Sequence, residues 1–322
     1  MRVPITLDLH LPNFNYPDVW PAQAFDKLVE IALTAERSGF SSISLMDHLH
    51  QIPGVGPQEN WMFDGNTMLS ALAARTSTLT LGTLVGGVTY RNPALLAKIT
   101  TTVDIVSGGR AWHGIGAAWF DDEHRAYGFE FPPLKERFER LEEALQITRA
   151  MFTQERATFA GKYFHVDAAY NNPKPVRGDI PILIGGSGER KTLRMVAQYA
   201  DGCNLFGDKD TARHKLEVLE AHCEKLDRDP AEITKTAMAV VLIAPTHEAA
   251  TAKLDAMRQA GVPALRLMSA MAGAPDTVAA KAAELREVGI EGLTISLPDV
   301  HDLETLQLAG QALGPVFARS TV

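Results

Sequence analysis

Apolar and polar positions along this chain follow two alternating periods. Short runs that alternate or are continuously apolar and β-branched, at residues 3–9, 42–46, 79–85 and 111–117, read as strands. Between them the period lengthens towards 3.6. Over 20–38, Phe25, Leu28, Val29, Ala32 and Ala35 share one helical face that ends at Gly39. A second helix is predicted over 67–76. A third starts with Asn92 as N-cap and Pro93 in the first turn, and stops at Gly108. Phe138, Leu141, Leu145 and Phe152 mark a long amphipathic helix after Pro133. The second half repeats the rhythm, with strands at 181–184, 202–206, 236–243 and 292–297. Helices are predicted at 189–200, 211–227, 247–260, 276–288 and 302–313. Residues 264–268 are a ninth strand candidate, one more than the rhythm needs.

Strand alternating with helix along a whole chain implies a parallel sheet with crossover helices. Ser38-Gly39-Phe40, Ala260-Gly261-Val262 and Val288-Gly289-Ile290 each place a glycine where a helix must stop and reverse into a strand. About eight such units predict an α/β fold of the (β/α)8 TIM-barrel type, with an open doubly wound sheet as the alternative. Residues 154–179 carry a small hairpin around Ala160-Gly161 and an irregular stretch. They read as an insertion into one barrel domain covering 1–322, because the rhythm resumes directly after them.

Composition narrows the setting. The chain has 322 residues and a formal net charge of -8, which argues against a nucleic-acid or anionic-membrane partner. Its two cysteines, Cys203 and Cys223, form no close-spaced pair, so neither a disulfide framework nor a zinc ribbon is expected and a reducing cytoplasm fits. No run approaches the roughly 18 apolar residues a membrane helix needs, and the N-terminus does not read as a signal peptide.

In a barrel the site is built from the C-terminal ends of the strands. The second strand ends in Asp47-His48, the third in Leu84-Val85-Gly86-Gly87, and the fourth in Gly114-Ile115-Gly116-Ala117-Ala118-Trp119. The fifth ends in Gly185-Gly186-Ser187-Gly188 and the sixth in Asn204-Leu205-Phe206. This glycine-rich, aromatic set suits a planar cofactor. His48-Leu49-His50 lacks the further ligands of a metal centre. Asp121-Asp122-Glu123 has no partner acid for glycoside hydrolysis and reads as solvated charge in a loop. Gly185-Gly186-Ser187-Gly188-Glu189-Arg190 breaks the dinucleotide spacing, since Lys191 stands at the third glycine's place. A helix start there, capped by Ser187 and flanked by Arg190 and Lys191, still suits a phosphate. His48 is the candidate catalytic acid or base, and Asp47 a candidate hydrogen-bond partner for a cofactor edge.

Ser107-Gly108-Gly109-Arg110, the stretch from Gly114 to Phe120 and His124-Arg125-Ala126-Tyr127-Gly128 resemble the luciferase-like monooxygenase superfamily, in its F420-dependent oxidoreductase branch. Asp47-His48, Thr89-Tyr90-Arg91-Asn92-Pro93 and the stretch from Pro181 to Asp201 agree, in the family's order. The resemblance implies a TIM barrel with a deazaflavin (coenzyme F420) at the strand ends, and a non-prolyl cis peptide between Leu84 and Val85. It implies cofactor contacts from Asp47, Leu84, Val85, Gly86, Gly116, Ala117, Ala118 and Trp119. A further cofactor contact falls on Gly185 and phosphate contacts on Gly186, Ser187, Gly188 and Glu189, with His48 near the reacting face. Trp61 and Trp119 are candidate substrate walls. The activity implied is hydride transfer between F420 and a small organic substrate, in a homodimer. An FMN-dependent monooxygenase using oxygen is the alternative, and a cofactor-free binding barrel the third reading.

Overall fold

The predicted rhythm closes on itself in space. In the computed structural model, which describes residues 1–267 and 270–318, strands and helices alternate from end to end. The strands are β1 (Leu7–Leu11), β2 (Ser42–Leu45), β3 (Thr80–Thr83), β4 (Gly86–Gly87), β5 (His113–Gly116) and the hairpin β6 (Arg156–Ala160) and β7 (His165–Tyr170). They continue with β8 (Ile182–Gly185), β9 (Gly202–Phe206), β10 (Thr234–Ile243), β11 (Met271–Gly273) and β12 (Gly292–Ser296). Helices α1 (Ala24–Arg37), α2 (Gly65–Ala73) and α3 (Pro93–Ser107) serve the first half, followed by α4 (Asp121–Tyr127) and α5 (Leu134–Thr153). The second half holds α6 (Thr192–Tyr199), α7 (Lys209–Lys225), α8 (His247–Gln259), α9 (Ala264–Leu267), α10 (Pro275–Glu287) and α11 (Leu303–Phe317).

Eight parallel strands form the ring, in the order β3-β2-β1-β12-β10-β9-β8-β5. Closure comes where Leu81 meets residues 110–112: Leu81 N donates to Arg110 O (3.0 Å) and Trp112 N to Leu81 O (2.9 Å). The fold is therefore the TIM barrel that the alternation implied. Asn92 caps α3 as expected, accepting from Ala94 N at 3.0 Å. No helix among the described residues is long and apolar enough to cross a membrane.

Several local expectations fail, each for a physical reason. Residues 264–267 are helical, not a strand, and Met268 lies outside the described residues. A run that short carries too little periodicity to separate strand from helix. The extra strand is β11, which pairs with β10 beyond the ring. Helix α6 begins at Thr192, three residues later than expected, with Lys191 and not Ser187 at its N-cap and no side-chain cap. Residues 121–127, expected as loop, form α4.

The ring's interior has an apolar and a polar layer. Val3, Ile5, Trp112 and Leu183 pack together, with Leu84 and Val85 against them. Gly82 and Gly114 exist for this packing. A Cβ on Gly82 would lie 2.3 Å from the Trp112 ring, and one on Gly114 would lie 1.9 Å from the Thr83 carbonyl oxygen. Trp112 Nε1 donates to Ser42 Oγ (3.2 Å), which leads into the polar layer. There Ser44 Oγ donates to Asp8 Oδ2 (2.6 Å), and His10 Nδ1 stands 3.0 Å from the same hydroxyl. Asn204 Nδ2 reaches Thr236 and Thr294 (2.9 and 3.2 Å). Asp8 is fully buried. Burial pushes its carboxyl up to about 6, against the hydrogen bonds from Ser44, Ser42 and Thr294 that favour the charged form.

A carboxyl raised in the folded state stabilises below its unfolded value and loses that contribution as pH climbs through its folded value. Asp8 therefore makes the protein less stable as pH rises from about 4 to about 6, by about 3 kcal/mol. Asp8→Asn removes that slope. Urea unfolding of both proteins at several pH values between 4 and 7 checks it: parallel stability curves would refute the buried titration.

Candidate active site

The mouth of the barrel gathers around one buried acid. Strand β2 ends at Leu45 and the chain continues through Asp47, His48 and Leu49, while β5 runs out into α4. Phe120, Glu123, His124 and Tyr127 share one face of α4, and Glu123 and His124 are fully buried. Glu123 Oε1 lies 2.6 Å from His48 Nδ1 and accepts from the Tyr90 hydroxyl. Its Oε2 accepts from the backbone N of Leu49 (2.6 Å) and of His50 (3.3 Å). Burial works to raise the Glu123 carboxyl, but the bonds from His48, Tyr90 and Leu49 outweigh it and hold it below the ordinary value. The Tyr90 hydroxyl is driven up by burial and by this acid.

A second aromatic contact stiffens the wall. His124 stacks on Tyr90 at 4.8 Å, its Nδ1 lying 2.6 Å from the Phe120 carbonyl and its Nε2 2.6 Å from Thr89 Oγ1. A carbonyl only accepts, so Nδ1 carries a hydrogen on that side. Trp119 meets His48 edge-on at 5.4 Å and is 57% exposed.

Asp47 sits beneath this group, buried, with Arg91 Nη1 2.7 Å from its Oδ2. Arg91 also pairs with Asp64, which caps α2 through Thr67 N (2.8 Å). Burial raises the Asp47 carboxyl to about 6 despite Arg91.

Val85 fills the gap that two glycines leave. The Leu84–Val85 peptide is cis, as the resemblance implied. A Cβ on Gly116 would come 3.0 Å from Val85 Cγ2, and one on Gly185 2.6 Å from it. Gly86 backs onto Asp47, where a Cβ would lie 3.2 Å from Oδ2. Beyond Gly116, Ala118 adopts φ 59°, and Arg137 of α5 donates to the carbonyls of Ala117 (3.3 Å) and Ala118.

Comparison with known proteins places this arrangement. The family model described as luciferase-like monooxygenase matches residues 6–291. The chain belongs to the luciferase-like monooxygenase family. It is therefore an enzyme, an oxidoreductase. It is similar to the F420-dependent glucose-6-phosphate dehydrogenase of Microbacterium testaceum, 31% identical over 238 residues, which is 71% of this chain and 67% of that protein. The protein of the same name from Segniliparus rotundus is 32% identical over 219 residues, 65% of this chain and 62% of its own length. The match thus spans about two thirds or less of these relatives. Among solved structures, an F420-dependent secondary alcohol dehydrogenase superposes with TM-score 0.82 at 19% identity, over 99% of this chain and 100% of that one. EDTA monooxygenase from a Chelativorans species gives 0.83 at 18% identity, over 98% and 93%. These two likenesses concern the fold.

Within the luciferase-like frame, the structure gathers Asp47, His48, Val85, Gly86, Gly116 and Trp119 at one mouth, with Gly185 against Val85. Leu84 and Val85 are both half-buried and pack against the interior cluster as well. The Glu189 side chain turns to α7, where Lys215 Nζ lies 2.5 Å from its Oε1. Trp61 is half-buried in the loop before α2, its carbonyl 3.5 Å from Asn15 Nδ2. Glu123, Tyr90, Arg91 and Arg137 were not among the predicted site residues. The reading of 121–123 as solvated charge holds for Asp121 and Asp122 and fails for Glu123. The helical spacing of Phe120, Glu123, His124 and Tyr127 was the signal available. Phe206 also belongs here: Asn204, two residues earlier, points inward to Thr294, so Phe206 faces the mouth, 50% exposed.

Glu123→Ala leaves four donors, those of His48, Leu49, His50 and Tyr90, without their acceptor, and is expected to cost about 2–4 kcal/mol in urea unfolding. Asp122→Ala, one residue away and 56% exposed, is expected to cost less than about 0.5 kcal/mol. Equal effects from the two variants would overturn the assignment.

Proposed function

We propose that this chain is an F420-dependent oxidoreductase that exchanges a hydride between the deazaflavin and a small organic substrate at the β5 and β8 end of the barrel. The observation that carries this reading is the Glu123–His48 pair at the mouth. Ionised Glu123 can only accept, so His48 Nδ1 carries its hydrogen there, and Nε2 is left to take or give the proton that accompanies hydride transfer. Trp119 and Phe206 supply exposed aromatic walls beside it. Asp47 and Arg91 form a buried polar edge suited to hydrogen-bonding a flat ring.

The loop after β8 fits a phosphate. Gly186 takes φ 106°, a conformation favouring glycine, and a Cβ on Gly188 would press within 3.0 Å of Thr192 Oγ1. The bare backbone in front of α6, with Arg190 and Lys191 following, offers main-chain donors and positive charge. Ser187 and Gly185 belong to this cradle by position. When bound, a deazaflavin supplies a two-electron hydride carrier; the chain's residues hold it, shield it and move the proton.

F420 is favoured over FMN because the curated relatives bear F420 in their names. The second reading, an FMN-dependent monooxygenase, has support in the family's own description and in neighbours such as the EDTA monooxygenase. Fluorescence titration of the purified protein with F420 and with FMN separates the two. F420 is expected to bind and FMN to bind at least about tenfold more weakly. Tight FMN binding with none for F420 would sink the first reading. Gly188→Asp, which puts a negative charge in the proposed phosphate cradle, should weaken the bound cofactor by about tenfold or more.

A further inference from the structure

We propose that α7 clamps the loop that receives the cofactor's phosphate, with Lys215 and His222 as positioning residues that act through Glu189. This rests on reading residues 186–188 as the phosphate cradle. On helix α7 the neighbours His214 and Lys215 stand eight and seven residues before His222, two turns along the helix. All three converge on one loop residue. Lys215 Nζ lies 2.5 Å and His214 Nε2 3.1 Å from Glu189 Oε1, while His222 Nε2 lies 2.8 Å from the Glu189 main-chain carbonyl. That carbonyl only accepts, so His222 Nε2 is the donor. On the other side the loop is tied to α6 through Leu193 N and Gly188 O (3.0 Å).

Two consequences follow for an anionic ligand. A loop with glycine at 185, 186 and 188 has much conformational freedom to lose on binding, and anchoring Glu189 at both its main chain and its side chain removes part of that loss beforehand. Glu189 also brings a carboxylate next to a site meant for phosphate. Lys215, itself only 17% exposed, compensates that charge, and His214 adds a hydrogen-bond partner. The clamp therefore matters for a phosphorylated ligand and not for the ring.

The test compares F420 with 8-hydroxy-5-deazariboflavin, the same ring and ribityl chain without phosphate, by fluorescence titration. Lys215→Met and His222→Leu are expected to weaken F420 by about tenfold and to leave the deazariboflavin within about twofold. His222→Gln, whose amide can donate to the same carbonyl, recovers most of the loss. His214→Ala, at a side chain 58% exposed, gives a smaller loss of about threefold in a variant with little packing to lose. Equal weakening of both ligands, or of neither, overturns the clamp. If the protein takes FMN and not F420, the cofactor reading has failed, and FMN against riboflavin tests the clamp in the same way.

Discussion

A carboxylate buried without water must have its oxygens satisfied, and Glu123 meets that demand by drawing three segments together. The end of β2 contributes His48 and two main-chain donors, the loop after β4 contributes Tyr90, and α4 presents the acid itself. Each of these segments is a strand-to-helix loop, the part of a barrel free to vary. The acid makes them one rigid wall. It also decides which nitrogen of His48 is occupied, so one interaction sets the shape of the mouth and the chemistry of its imidazole.

The glycines of the strand ends tell a different story from the one bare backbone suggests. Gly82 and Gly114 are small because Trp112 and the Thr83 carbonyl need their space. Gly116 and Gly185 are small because Val85 occupies theirs. The exposed apolar groups at the mouth are then Trp119 and Phe206, with half-buried Val85 in the glycines' space, and not a glycine strip. In the loop after β8 the glycines serve a third need, a positive φ at Gly186 and the close approach of Thr192 to Gly188.

Periodicity made the eight ring strands legible, since strands buried on both faces read as short apolar runs and the crossover helices keep one apolar stripe. Strand β9 falls on its predicted residues, 202–206. Failure came where polar groups are buried. The inward face of α4 carries Glu123 and His124, so its helical spacing was masked by residue types that usually lie outside. The Glu123–His48 bond joins residues 75 apart, a distance no local pattern spans. His48 and Asp47 were legible because both stand at a strand end with few other polar candidates. The start of α6 was misplaced because Ser187 has the residue type of a cap without being positioned as one.

The two buried acids on either side of His48 are pushed in opposite directions. Asp47 is desolvated and shares its one cation with Asp64, so burial wins and its carboxyl rises to about 6. Glu123 is also desolvated, but hydrogen bonds from His48, Tyr90 and two backbone amides reach its oxygens, so the charged form wins. Environments that differ in this way separate the readiness of two carboxyls to ionise. Fixed negative charge thus stands behind His48, on the side away from Nε2. Asp47 lies one residue before His48, at the polar edge it forms with Arg91. The same two segments serve both acids: His48, Leu49, His50 and Tyr90 donate to Glu123, while their sequence neighbours Asp47 and Arg91 pair with each other.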